Sequence, residues 1–153
     1  MALNKQSLRA DIKALFDEQM KDASELGVRL SKAYFDYASQ AQGGIGDPVP
    51  LRGSEWMRLR SLLTALVRSR PPAARAARMI AEGVTAFWLS PPVISSGGGV
   101  CTSIVTAPGV ATMQSTRANS SAKAAASLAN ALHMMTKTVL LVYPNPTPPG
   151  FLK

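Results

Sequence analysis

The stretch from Pro71 to Met113, PPAARAARMIAEGVTAFWLSPPVISSGGGVCTSIVTAPGVATM, supplies the apolar residues around which the fold is expected to form. It predicts a helix from Pro72, because proline is favoured in a first helical turn, where its missing N–H has no intrahelical partner. Ser90-Pro91-Pro92 ends this helix, since a residue before proline is disfavoured in helical conformation. Its apolar residues recur every three or four positions on one face: Ala76, Met79, Ile80, Gly83, Val84 and Phe87. Gly83 costs about 1 kcal/mol relative to alanine, so it indicates either close approach by another backbone or a cost that the helix tolerates.

Two β-rich runs follow the central helix. Val100 to Thr106 lies between Gly97-Gly98-Gly99 and Pro108-Gly109, which predicts a strand. Thr138 to Tyr143 predicts a second strand that can pair with the first. The three glycines favour a flexible joint over an anion-binding nest, because no Lys-Ser/Thr follows them and the spacing is not GxGxxG.

The first segment predicts a long amphipathic helix from Asn4 or Ser7 to about Tyr37. Its apolar positions keep a three-to-four spacing: Leu8, Ile12, Leu15, Phe16, Met20, Ala23, Leu26, Leu30, Ala33, Tyr34 and Tyr37. Such a helix either lies on the domain or forms a seam between subunits. Gly27 and Gln19 argue against a long uninterrupted coiled coil.

Two further helices are predicted. Ser54 caps one helix that ends at Pro71 and forms a helical hairpin with the central helix; its apolar face consists of Trp56, Leu59, Leu63, Leu66 and Val67. The alanine-rich run from Ala122 to Met135 forms the other, with an apolar stripe of Ala125, Leu128, Leu132 and Met135. Candidate caps precede it at Ser115, Thr116, Asn119 and Ser120.

These elements predict a mainly α fold with a small β component (α+β). The expected organisation is an amphipathic helix over residues 1–39, a Gly/Pro linker over 40–53, a main α+β domain over 54–143 and an extended Pro-rich arm over 144–153. The arm ends in Phe151-Leu152-Lys153. It either docks on a neighbouring chain or forms a disordered tail.

Composition and charge favour association. The chain has 153 residues, of which 6% are aromatic, so its core is expected to be thin and completed by other subunits. The net charge is +8, and the basic surplus begins only after residue 51. Such a surplus favours anionic partners without choosing among nucleic acid, lipid and acidic protein.

Reactive side chains are few. Cys101 is the single cysteine, which excludes an internal disulfide and a cysteine-built zinc site, and its apolar neighbours predict a buried thiol. The single histidine, His133, is expected to pack or face solvent; a Cys101–His133 dyad is the one conceivable thiol catalyst. We therefore expect no enzyme activity, catalytic residue, cofactor or metal. The first twenty residues lack a secretory apolar core and no run is long enough to span a membrane, so no membrane partner is expected.

The arginines between Arg52 and Arg78 are the main binding signal. Clusters of arginines on helices bind phosphate groups. The alternative function is therefore that of a basic DNA-binding accessory protein that uses the helices over 54–78. Its anion contacts would be Arg58, Arg60, Arg68 and Arg70. In the competing interpretation, the arginine stems cover a thin core and pair with acids of the first helix or of another subunit.

The order of these elements resembles small virion proteins of tailed bacteriophages. The resemblance is carried by AEGVTAFWLSPP after an Ala-rich helix, a Gly/Thr-rich segment, and SLANALHMMTKTVLLVYPNPTPPG. It implies a non-enzymatic structural subunit of a neck, tail or baseplate, located in the virion and in the host cytoplasm during assembly. Its implied partners are copies of itself and other virion proteins.

A thin core and arm-like termini favour the burial of apolar helix faces against copies of the chain or against other partners. The expected intersubunit contacts are Leu8, Ile12, Leu15, Phe16, Phe151 and Leu152.

Overall fold

The computed structural model describes residues 3–18, 23–117 and 119–153. Within these residues the chain forms six helices and three strands. In chain order they are α1 (Lys5–Asp17), α2 (Ala23–Ala38), α3 (Gly53–Ser69), α4 (Ala73–Leu89), β1 (Val100–Ser103), α5 (Ala107–Ser115), α6 (Ser121–Thr136), β2 (Leu140–Val142) and β3 (Gly150–Phe151). The predicted fold class, mainly α with a small β component, is confirmed.

Three pairs of contacting helices run antiparallel: α2 with α3, α4 with α5, and α1 with α6. Arg68 near the end of α3 reaches Ser24 near the start of α2, with 2.7 Å between Nε and Oγ. Gln114 near the end of α5 donates from Nε2 to the Ala74 carbonyl at the start of α4, over 3.1 Å. In the same way, Ser121 at the start of α6 donates to Asp17 at the end of α1. One end of the bundle, here called the helical end, therefore gathers the last turns of α1, α3 and α5 and the first turns of α2, α4 and α6.

The sheet lies at the opposite end of the bundle. Its order is β1-β2-β3, and both pairs are antiparallel. Val100 pairs with Val142 and Cys101 with Leu141, which confirms the predicted pairing of the two β-rich runs. An isolated bridge joins Ile94 to Val100 on the other side of β1.

One apolar cluster connects the four predicted segments. It includes Leu8 and Ile12 from residues 1–39, Val49 from residues 40–53, and Leu152 from residues 144–153. Trp88, Tyr34 and Phe87 are the largest side chains fully buried among the described residues. The Gly/Pro-rich segment and the C-terminal segment therefore both contribute side chains to the core of the main helices.

The prediction of one long helix from Asn4 to Tyr37 is wrong. Asn4 does cap α1, its side chain accepting the Ser7 N–H at 3.1 Å, but Glu18 is extended, with a ψ of 134°. The apolar spacing continues across the break because α1 and α2 both bury one face, α1 mainly against α6 and α2 against α3. Gln19 and Met20, on which part of that prediction falls, lie outside the described residues.

Other element boundaries also differ from the prediction. Strand β1 ends at Ser103, and the residues predicted to continue it lead into α5, which has Pro108 in its first turn. Helix α3 begins at Gly53 with Arg52 at the N-cap, and the Glu55 side chain accepts the Arg52 N–H at 2.8 Å. Helix α6 is capped by the predicted Ser120. Helix α4 ends at Leu89, as the Ser-Pro-Pro sequence predicted.

Candidate assembly surfaces

The sheet presents an apolar side to solvent, here called the outer sheet face. Residues paired across antiparallel strands point to the same side, and side chains alternate along each strand. Leu140 pairs with Phe151, and this pairing, together with the bridge and pairings above, places five apolar side chains on one side: Ile94, Val100, Leu140, Val142 and Phe151. Ile94 is 54% exposed, Val142 41% and Phe151 56%. An apolar surface of this kind is typical of an interaction site.

The inner side of the same sheet belongs to the core. The alternating residues Val93, Ser95, Cys101, Leu141 and Leu152 are all buried. Burial raises the pKa of the Cys101 thiol to about 12, so the thiol stays protonated at neutral pH. A protonated and buried thiol is a poor nucleophile.

A carboxylate fixes the loops beside the sheet. Asp47 Oδ1 accepts a hydrogen bond from the Tyr143 hydroxyl at 2.7 Å, and its Oδ2 accepts one from the Gly97 N–H at 2.9 Å. Burial alone would raise the pKa of Asp47, but hydrogen bonds from Ser95, Tyr143 and Gly97 outweigh it and lower the pKa. One side chain therefore joins the Gly/Pro-rich segment, the glycine loop and the residue that follows β2.

Hydrogen bonds near the C terminus dock the last residues on their own chain. The Leu152 N–H donates to the Val139 carbonyl at 3.1 Å, and Lys153 and Gln42 exchange two backbone hydrogen bonds. Gly44 and Gly150 approach so closely that a Cβ on Gly44 would lie 2.6 Å from the Gly150 Cα. The predicted arm thus folds back as strand β3 with a buried Leu152.

Most of the predicted intersubunit contacts lie inside the chain. Leu8, Ile12, Leu15 and Leu152 are all buried in the core. Phe16 is half-buried and lines an open groove of about 250 Å³ between α1, α4, α5 and α6. Phe151 alone of the six is well exposed, and it lies on the outer sheet face.

The four arginines predicted to bind anions do not form one cluster. The Nε and Nη2 atoms of Arg58 are buried without a hydrogen-bond partner. The Arg60 guanidinium lies 5.5 Å from the centre of the Trp56 ring. Arg68 and Arg70 are exposed at the other end of α3, roughly 15 Å farther along the axis at 1.5 Å per residue. The structure therefore separates Arg58 and Arg60 from Arg68 and Arg70.

Carboxylates of the first two helices pair with bases of the same region. Lys13 binds Asp17 at 2.7 Å, Arg29 binds Glu18 at 2.6 Å and Lys32 binds Asp36. Throughout the described residues, no carboxylate lies within 4.0 Å of an arginine from α3 or α4. The expected pairing of those arginines with acids of the first helix is not found there.

The side chain of the single histidine forms a hydrogen bond with a tyrosine. His133 Nδ1 lies 2.6 Å from the Tyr37 hydroxyl. Burial, followed by the charges of Lys5 and Lys137, lowers the pKa of His133. The imidazole is therefore directed at a phenol, whereas the Cys101 thiol lies on the inner side of the sheet.

A second buried polar network lies between α2, α4 and α6. Trp88 Nε1 donates to the Tyr34 hydroxyl at 2.9 Å, and this hydroxyl lies 2.7 Å from Thr136 Oγ1. Burial raises the pKa of Tyr34 to about 12. Each polar atom in this network has a partner, so the network positions the helices against each other.

One open cleft has a volume of about 470 Å³, with Arg78, Glu82, Thr85, Ser90 and Thr106 among its lining residues. The titratable groups that line it are the guanidinium of Arg78 and the carboxylate of Glu82. The described residues include no group of three or more His, Cys, Asp or Glu side chains placed to hold a metal ion. A helix with the length and apolar character to cross a membrane is likewise not found among them.

No protein-family model, curated protein or solved structure matches the chain. Two surfaces at opposite ends of the bundle are suited to binding a partner. One is the outer sheet face. The other is the set of arginines at the helical end.

Proposed function

We propose that the chain is a non-enzymatic structural subunit of a tailed-phage virion, of the neck, tail or baseplate type, that assembles with copies of itself. The outer sheet face carries this proposal. Its three most exposed members, Ile94, Val142 and Phe151, come from separate parts of the chain and meet on one surface. Covering such a surface with another apolar surface gains roughly 25 cal/mol for each Å² removed from water.

A second copy suits this face because the face is uncharged. Two molecules of net charge +8 repel each other over most surfaces, but the five side chains of the face bear no charge. Interfaces that relate copies by a two-fold axis use the same patch on both subunits. Five side chains are fewer than the roughly 20 residues per side of a stable interface, so the flanking loops also take part.

Lysine substitutions on the outer sheet face test the self-assembly. Wild-type protein is expected to form oligomers by analytical ultracentrifugation, and Val142→Lys and Phe151→Lys each to give monomers with unchanged circular dichroism. Met57→Lys is the matched control, because Met57 is 61% exposed and belongs to α3, not to the sheet. A wild-type protein that stays monomeric at high concentration, or a Met57→Lys variant that dissociates equally, rules the interface out.

The virion assignment has its own test. Phage particles purified from the source of this sequence are expected to contain the chain in a fixed ratio to the other virion proteins, measured by quantitative peptide mass spectrometry. Its absence from washed particles would contradict a structural role in the virion. Turnover of a small molecule by purified protein would contradict the non-enzymatic part of the proposal.

A further inference from the structure

Four exposed arginines belong to the helical end, and we call this set the basic corner: Arg68, Arg70, Arg75 and Arg117. Arg68 lies in the last turn of α3, and Arg70 caps the helix in left-handed conformation, with a φ of 46°. The chain then turns at Pro71-Pro72, and Arg75 lies in the first turn of α4. The corner between the two helices therefore carries three arginines within eight residues.

Arg117 reaches this corner from a distant part of the sequence. Its neighbour Thr116 lines the same groove as Ala73 and Ala76. The hydrogen bond from Gln114 to the Ala74 carbonyl holds the end of α5 against the start of α4. Packing of α5 on α4 thus adds a fourth guanidinium to the three at the α3–α4 corner.

Among the described residues, no carboxylate lies within 4.0 Å of a guanidinium of the basic corner. Three described carboxylates at the helical end are paired with other bases: Asp17 with Lys13, and Glu18 and Glu25 with Arg29. The contact that the structure gives the Arg68 side chain is to the neutral Ser24 hydroxyl. Four positive charges therefore face solvent at the opposite end from the outer sheet face.

We infer that the basic corner binds the phosphodiester backbone of duplex DNA. Guanidinium groups match phosphate in geometry and charge, and backbone contacts need no base-specific residues. Proteins that grip single strands also stack bases on aromatic side chains. The large hydrophobic side chains exposed among the described residues all lie outside 68–78 and 115–123, so the corner offers neither a stacking platform nor an apolar anchor for an acidic protein.

Two charge-matched variants test this binding. In the first, Arg70→Gln, Arg75→Gln and Arg117→Gln remove three charges from the corner. In the second, Arg9→Gln, Arg52→Gln and Lys153→Gln remove three exposed charges elsewhere, so that both variants carry a net charge of +5, three less than the wild-type +8. The corner variant keeps Arg68 and its hydrogen bond to Ser24. Circular dichroism and melting temperature establish that both variants fold.

Binding to a fluorescent 20-base-pair duplex is measured by anisotropy between 50 and 200 mM NaCl. Four phosphate contacts give a slope of about −3.6 for log K against log salt, and so roughly 150-fold weaker binding across this range. The corner variant is expected to bind far more weakly at 50 mM NaCl, with a slope of about −1, because each lost phosphate contact reduces the slope by about one. The control variant is expected to keep the wild-type slope.

Three results would overturn the inference. Equal losses in the two variants would mean that net charge alone drives binding. Poly-glutamate that competes with the duplex at equal charge concentration, with the same dependence on the three corner arginines, would mean that the corner takes acidic protein. A folded wild-type protein that does not bind the duplex at 50 mM NaCl would remove the site altogether. None of these results depends on the outer sheet face, so the proposed assembly role is tested separately.

Discussion

Gly27 of α2 lies against the backbone of Thr64 in α3, so that a Cβ at position 27 would be 2.8 Å from the Thr64 Cα. Glycine lets the two helices approach where any side chain would separate them. The sequence had suggested a close backbone approach at Gly83 instead. There a Cβ would meet side chains, at 3.0 Å from a Leu62 methyl and 3.1 Å from a Leu59 methyl.

Gly27→Ala is expected to destabilise the protein by about 1–3 kcal/mol, the typical cost of overpacking, although alanine favours a helix by about 1 kcal/mol. The measurement is the free energy of unfolding from urea denaturation. Gly53→Ala is the matched control, because nothing lies within 4 Å of a Cβ at that position in the first turn of α3. If Gly27→Ala is as stable as wild type, the close packing of α2 on α3 is wrong.

Local signals explain what the sequence predicted well. The Ser-Pro-Pro sequence predicted the end of α4, candidate caps that include Ser120 predicted the start of α6, and two β-branched runs predicted the pairing of β1 with β2. Each depends on residues close together in the chain. No local signal of this kind marks the break after Asp17. Because α1 and α2 each bury one face, apolar residues recur every three or four positions on both sides of the break.

Helix α5 and the exact core face of α4 also escaped prediction. Helix α5 begins with Ala-Pro-Gly, a sequence that by itself favours a turn. In the fold this segment packs closely against α6, and a Cβ on Gly109 would lie 2.6 Å from Met135 Cγ. In α4 the buried positions include Ala77, Ala81 and Trp88, whereas the predicted Met79 and Ile80 are half-buried. Because other helices contact α4 on two sides, its buried residues do not coincide with the face that apolar spacing alone predicts.

The candidate surfaces could be predicted only in part. Phe151, Arg68 and Arg70 were identified from sequence because they stand out locally. The outer sheet face was not, since strands of two to four residues are too short to show alternation. Arg117 joins the basic corner through the packing of α5 on α4, which the sequence did not reveal.

Asp47 is expected to hold the three loops beside the sheet together. Asp47→Ala removes the acceptors for the Tyr143 hydroxyl and the Gly97 N–H, and a lost hydrogen bond to a charged group costs about 1.5–3 kcal/mol. We expect lower unfolding free energy and faster amide hydrogen exchange at Leu152 and Lys153. Asp11→Ala is the control, since Asp11 is exposed on α1. Unchanged exchange in Asp47→Ala would contradict the role of this carboxylate.

Acid is expected to weaken the same attachment. The pKa of Asp47 is lowered by its hydrogen bonds, so its contribution to stability is present above the ordinary pKa of 3.8 and is lost as pH falls through the lower folded value. Asp47→Ala should therefore lose less stability than wild type in this acidic range. An identical pH dependence of the two proteins would show that Asp47 gains nothing from ionisation in the folded state.

His133 provides a pH test that a single resonance can report, because the chain has one histidine. Burial and the charges of Lys5 and Lys137 lower its pKa, so the imidazole Cε1–H signal is expected to titrate with a midpoint below 6.5 in NMR spectra. Lys5→Gln and Lys137→Gln should each raise that midpoint, whereas Lys153→Gln should leave it unchanged. A wild-type midpoint at or above 6.5 would contradict the environment described for the imidazole.

The same lowered pKa makes the stability of the protein depend on pH. Because the pKa of His133 is lower in the folded than in the unfolded state, its contribution to stability is full above pH 6.5 and falls as pH drops through the folded value. His133→Asn is therefore expected to unfold with a smaller dependence on pH between 5 and 7 than wild type.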